Sequence, residues 1–311
     1  MSAKKASLRT TLLDFDVGGL GETRLKAVRF GNYTRSGKDG DVFLSPDFGD
    51  YENIQVFEPY YPVTGQDMLI RACNLYKSIP DDAEQAVEKV LQWCIQNVHP
   101  YYPPELLNNP NGIPWEEYWL NLWGSGVGAF SVIGFISSLK SFFELAGSVM
   151  TLTLLATGKQ DDADRLYHGF FYDGGYDLFN EYTSQKHYTE DFLLMDNYAM
   201  LPKVSMKVEY DRKNRLPVFV PEVASIFDVL NYTLIRMVTK NAPKMDEVWH
   251  KQSIALCECC GKMFIKEGNR QKYCKDPLCQ AEKNNRKSRD YYQRKTAAKK
   301  SENPSDSQAQ S

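Results

Sequence analysis

Along the first sixty residues, short apolar runs are broken by Gly, Asp and aromatic side chains, and the Gly-Lys-Asp-Gly-Asp segment at 37–41 reads as a turn between short strands. Residues 1–64 are therefore expected to be strand- and turn-rich. From Gly65 the period changes. Ala83, Ala86, Val87, Val90, Leu91, Cys94, Ile95 and Val98 recur every three or four residues, one face of an amphipathic helix, with Pro80, Asp81 and Asp82 at its start. A proline-rich break leads to a helical segment over Trp115–Trp123. A longer pattern follows through Val132, Ile136, Leu139, Phe143, Ala146 and Met150, apolar nearly all round and so expected at the centre of a core.

Further on, Val204, Met206, Val208 and Tyr210 alternate as a strand does. Leu216–Val220 reads as an edge strand at best, because Pro217 lacks an N–H for the ladder. Ser225 and Asp228 have the spacing of a capping box before a stripe of Ile226, Val229, Leu230, Thr233, Met237 and Val238, and Asn241-Ala-Pro stops that helix. The pattern predicts a mostly α (α+β) body with a minor sheet: residues 1–64, then a mainly helical 65–243, a linker over 244–253, a cysteine-rich module over 254–298, and a disordered tail over 299–311.

Charge sharpens that division. The whole chain carries a net charge of −3, yet 257–300 holds 13 Lys/Arg against 5 Asp/Glu, so an acidic body carries a basic appendage. Cysteine follows the same split, with five of the seven between Cys257 and Cys279. No apolar run of signal length precedes Asp14 and Asp16, so a reducing, cytoplasmic location is expected, where clustered cysteines hold metal more often than they pair. The uncharged stretch from Tyr118 to Leu139 carries four Gly, four Ser and an Asn, too polar for hydrocarbon, and is expected to be buried helix rather than a membrane span.

Within Cys257-Glu-Cys259-Cys260-Gly261 and Tyr273-Cys274-Lys-Asp-Pro-Leu-Cys279, the expected ligands are Cys257, Cys260, Cys274 and Cys279. Two thiolates two residues apart lie on one tight turn, and a Gly after the second supplies the positive φ needed to leave it. Pro277 suits the first position of a helix, which places Cys279 in the first turn, where the dipole favours a thiolate. Four thiolates close a tetrahedral site round one structural zinc ion at roughly 2.3 Å each, with no open position for substrate. Cys259 in place of Cys260 is the open alternative at this point. His250, seven residues upstream, is read as a solvent-facing linker residue.

The run C-x-x-C-G-K-M-F, then Asn269-Arg270-x-x-Tyr273-Cys274-x4-Cys279, then a Lys/Arg helix with Tyr291-Tyr292, resembles the CGNR-type bacterial zinc finger. It is also similar to a C-terminal four-cysteine module of an uncharacterised bacterial protein family, in which a helix like Val223–Lys240 comes first. After the fourth cysteine this chain reads Gln280-Ala281-Glu282 where the family has Gly-Asn-Arg. The resemblance implies a small treble-clef or zinc-ribbon-like module that binds DNA in a regulator-like protein.

Beyond Cys279 no Gly or Pro interrupts the chain up to Lys300. At about 100° per residue Lys283, Arg286, Lys287 and Arg294 share a stripe about a third of the circumference wide, a pattern suited to phosphates. Asp290 lies in the same stripe, four residues from Arg286 and from Arg294. Nucleic acid, DNA ahead of RNA, is the expected partner of this helix. The alternative is a zinc-stabilised interaction module with an acidic protein partner.

An enzyme in the body is not expected. Gly124-Ser-Gly126-Val-Gly128 fits a loose dinucleotide fingerprint, but no strand precedes it, and close helix packing is the expected reason for these glycines. His99, His168 and His187 lack partners at a catalytic spacing, leaving only the aromatic density over 166–198 in favour of an active site.

Overall fold

In the computed structural model, residues 11–16, 24–37, 41–47, 63–103, 112–122, 125–156, 163, 166–167, 201–211, 215–238, 254–268 and 271–302 are described. The chain divides into two compact units, Met1–Met245 and Asp246–Ser311. His168, His187, His250, the expected linker and the aromatic 168–198 segment lie outside the described residues, as do Asn269 and Arg270.

In the first unit, β1 (Thr11–Asp16) pairs antiparallel with β2 (Arg24–Arg29) and parallel with β5 (Val63–Thr64). β3 (Tyr33–Ser36) and β4 (Phe43–Pro46) form an antiparallel pair around the expected turn, and β6 (Phe130–Ser131) adds to β4. At Gly37 φ is +95°, and a Cβ there would collide with the carbonyl of Asp41, so the turn requires glycine.

Helix α1 (Gly65–Lys77) leads into α2 (Ala83–Gln96), whose N-cap Asp82 accepts the Gln85 N–H at 2.9 Å, as the Asp81-Asp82 signal implies. α3 spans Trp115–Leu122 and α4 Val132–Ala156. The α5 helix (Ile226–Val238) starts with a variation on the expected capping box. Asp228 accepts from the backbone N–H of Ala224 and Ser225 and from the Ser225 hydroxyl, so the serine donates to the carboxylate. The chain over 99–102 ties that helix start to the sheets: Ile226 donates to Pro100, Tyr102 to Ala224 and His99 to Val28.

The core lies where α4 packs on α1 and α5. Phe135, Leu139, Ala146, Val149 and Met150 of α4 are almost fully enclosed, and Phe135 meets Trp93, Tyr101, Phe130 and Phe227 ring to ring. The first turns of α4 are one-sided, since Ile133 is exposed, whereas its later turns are enclosed all round. By length and composition Val132–Thr153 could cross a membrane, but 44% of its most apolar window is buried inside the protein, as in a core helix. One expectation needs correction. Gly126 and Gly128 take φ of +73° and +80° in a turn, and a Cβ at Gly126 would meet nothing, so backbone conformation rather than packing explains them. The hairpin of β7 (Met206–Asp211) and β8 (Leu216–Pro221) forms, yet Met206, Val208, Tyr210 and Phe219 on it are exposed.

The second unit consists of a short antiparallel pair, β9 (Ile254–Leu256) and β10 (Met263–Ile265), followed by α6 (Pro277–Glu302). α6 continues through Glu302, so the first residues of the expected disordered tail are helical; 303–311 lie outside the described residues.

Candidate metal centre and basic groove

The turn between β9 and β10 is built around one sulfur. Gly261, at φ +68°, donates to the Cys257 carbonyl at 2.8 Å, and the Cys257 N–H reaches Lys262 at 2.9 Å. Cys274 donates its N–H to Cys257 Sγ at 3.4 Å. Burial alone would push the Cys257 thiol up, but N–H groups of Cys260, Cys274 and Cys259 aimed at the sulfur outweigh it and bring it down to about 7. The second pair enters from α6. Asp276 caps the helix, its carboxylate accepting from the Leu278 N–H at 2.9 Å, Pro277 takes the first helical position, and Cys279 follows in the first turn.

These elements bring Cys257, Cys260, Cys274 and Cys279 together, with all four Sγ atoms within 4.8 Å of one another. Cys260 Sγ and Cys274 Sγ are 3.8 Å apart, which is the edge of a tetrahedron about 3.8 Å long that four bonds of roughly 2.3 Å would subtend. Such a set can hold a metal ion. Cys259, exposed like Cys260, is not among the four, so the set brought together is the one that contains Cys260. Burial shifts Cys274 and Cys279 upward; neighbouring thiols raise Cys279 further, whereas the Asp276 backbone N–H partly offsets the rise at Cys274, and a bound cation would favour the thiolates.

Beside the cluster, the knuckle and the first half of α6 enclose a groove of about 990 Å³. Lys272, Lys283, Arg286, Lys287 and Arg289 supply its cations. Lys283, Arg286 and Lys287 of the expected stripe therefore converge, while Arg294 lies outside the groove and turns its Nε to the Asp290 carbonyl at 3.3 Å. Arg286 Nε sits 3.0 Å and Arg289 Nη2 2.7 Å from the same Glu282 carboxylate oxygen. Hydrogen bonding from Arg286 holds the Glu282 carboxyl below its ordinary range, and the same bond raises Arg286. The Arg286 guanidinium also lies 5.8 Å from the centre of the Tyr273 ring, a cation–π distance. On the knuckle side Lys272 pairs with Glu258 at 3.0 Å.

Arg289, Lys272 and Tyr273 are among the groove residues that helix periodicity alone does not identify. Arg289 sits at the margin of the stripe and faces the groove because the knuckle supplies the opposite wall. The Tyr-Cys pair at 273–274 carried the signal, since a residue flanking a metal ligand is held rigidly at the mouth of the site.

Among the described residues of the body, His99, Cys73 and Cys94 are enclosed. His99 is wholly buried, with its Nδ1 3.1 Å from the Tyr33 hydroxyl and its ring between Phe30 and Phe130; burial lowers it to about 3 despite a hydrogen bond to the Gly128 backbone. Burial raises the Cys73 thiol to about 12 and pushes Cys94 up as well, so neither is a thiolate near neutrality. The chain matches no protein-family model, no curated protein and no solved structure.

Proposed function

We propose that the C-terminal unit is a zinc-stabilised nucleic-acid-binding module. The observation that carries this reading is the convergence of five Lys and Arg side chains on one groove, anchored by a four-cysteine cluster at the base of the same helix. Zinc fits the cluster by donor chemistry and sulfur spacing, and all-thiolate coordination gives it a structural role with no position for substrate. The short β9–β10 pair followed by a helix that carries the fourth ligand supports a treble-clef-like module, as does the motif resemblance to the CGNR-type finger. Phosphates occupy the groove through Lys283, Arg286, Lys287 and Arg289.

The test is binding of the zinc-loaded full chain to random-sequence DNA and RNA over a range of salt. The expected log–log slope is about −0.7 to −0.9 per phosphate neutralised, flattened when Lys283, Arg286, Lys287 and Arg289 are changed to Ala. Undetectable binding to DNA and RNA at low salt would overturn the proposal and turn attention to an acidic protein partner.

A further inference from the structure

We infer that the groove receives single-stranded nucleic acid, in preference to a duplex. The inference rests on the nucleic-acid reading above and names the form of the polymer.

A helix that reads a duplex is a convex rod in a major groove about 12 Å wide, with its reading side chains projecting free of the rest of the fold. The basic face of α6 is placed differently. Lys283, Arg286, Lys287 and Arg289, with Glu282 and Asp290 among them, form one wall of a concavity whose other wall is Glu258 and Gln271–Tyr273. Its volume of about 990 Å³ lies in the size range of sites that enclose small ligands, roughly 300–1,000 Å³, far below a double helix.

The chemistry inside is that of a stacking groove. Tyr273 lines the groove with an aromatic ring, the Arg286 guanidinium lies 5.8 Å from its centre, and Gln293 brings an amide donor and acceptor that suit base edges. Further along α6, Tyr291 and Tyr292 are well exposed, and their rings meet edge to face at 5.6 Å. A duplex keeps its base faces stacked inside and has no use for a tyrosine ring set in the groove. An unpaired strand places its bases on such rings while Lys and Arg follow its backbone.

The experiment measures fluorescence anisotropy of labelled oligonucleotides of about 12 nucleotides, within the roughly 4–16 that a single-strand groove covers. Single-stranded DNA, single-stranded RNA and the matching duplex are titrated with the zinc-loaded full chain. Single strands are expected to bind at least about tenfold more tightly than the duplex. Tyr273→Ala should weaken single-strand binding by about 5- to 150-fold, Tyr273→Phe should keep it, and duplex binding should change little.

Because Tyr273 adjoins Cys274, metal content of each variant is measured by mass. The Tyr291→Ala/Tyr292→Ala double variant provides a second test away from the ligands, with single-strand binding again expected to fall. Duplex binding equal to or tighter than single-strand binding, or indifference of single-strand binding to both sets of tyrosine variants, would overturn this inference and leave the nucleic-acid reading intact. Failure of all three oligonucleotides to bind would overturn that reading itself.

Discussion

On the zinc reading proposed above, removing the metal is the sharpest perturbation available to the second unit, because little else among its described residues excludes water. Among its described residues only Cys257, Met263 and Cys279 are buried, so its apolar core is one methionine, a contribution of about 1.5–3 kcal/mol. Zinc in a closed thiolate site contributes roughly 10–16 kcal/mol to folding, severalfold more. The 26-residue α6 cannot compensate. From 284 to 297 its side chains are all exposed, and a solvated helix without packing is marginal in water. Amide exchange with mass spectrometry on the full chain, with and without a strong chelator, gives the readout. Peptides covering 254–285 should lose protection when zinc is gone, including the Gly261 and Cys274 N–H groups that close the knuckle. Peptides from α4 should be unchanged and serve as the internal control. Knuckle peptides that stay protected after zinc is shown absent by mass would refute the argument.

Cys260→Ser should abolish stoichiometric zinc retention, whereas Cys259→Ser should retain one zinc per chain, as read by native mass spectrometry; the opposite result would reassign the ligand. Glu282→Gln should tighten nucleic-acid binding severalfold and steepen the salt slope by about 0.9 for each additional phosphate neutralised, since it frees Arg286 and Arg289 from a shared carboxylate; unchanged or weaker binding would count against that role. His99 stays neutral in the folded state down to about 3, while the unfolded imidazole protonates near 6.5, so the unfolded state binds the extra proton between those values. Stability is therefore complete above about pH 6.5 and falls by up to about 1.4 kcal/mol per unit below it. Urea titrations of wild type and His99→Gln should diverge in slope across that window. Phe135→Ala should cost about 3–5 kcal/mol by leaving a hole among four rings, measured by denaturant midpoint.

Most of what the structure confirms was carried by local signals. The Asp82 cap, the Ser225–Asp228 helix start and the Cys-x-x-Cys-Gly turn are each encoded within five residues, where chain geometry leaves few options. What the sequence did not show is non-local. The β1–β5 pairing is parallel and spans almost fifty residues, so no periodicity announces it. The exposed side of the β7–β8 hairpin looks apolar enough for a core, because alternation marks a face without saying what lies against it. On α6 a helical wheel selects Arg294 and passes over Arg289, since a wheel contains one helix and the groove has a second wall.

The distribution of thiols has a practical consequence for spectroscopy. Cys73 and Cys94 are sealed in the core with raised thiols, and metal coordination would occupy Cys257, Cys260, Cys274 and Cys279. That leaves Cys259, exposed on the knuckle, as the single residue open to a maleimide dye in the native holoprotein. The unmodified chain thus carries its own labelling handle, one residue from the Glu258 that lines the groove. A fluorophore there would report occupancy of the groove without introducing or deleting a cysteine, and a second equivalent of dye uptake would signal release of the metal.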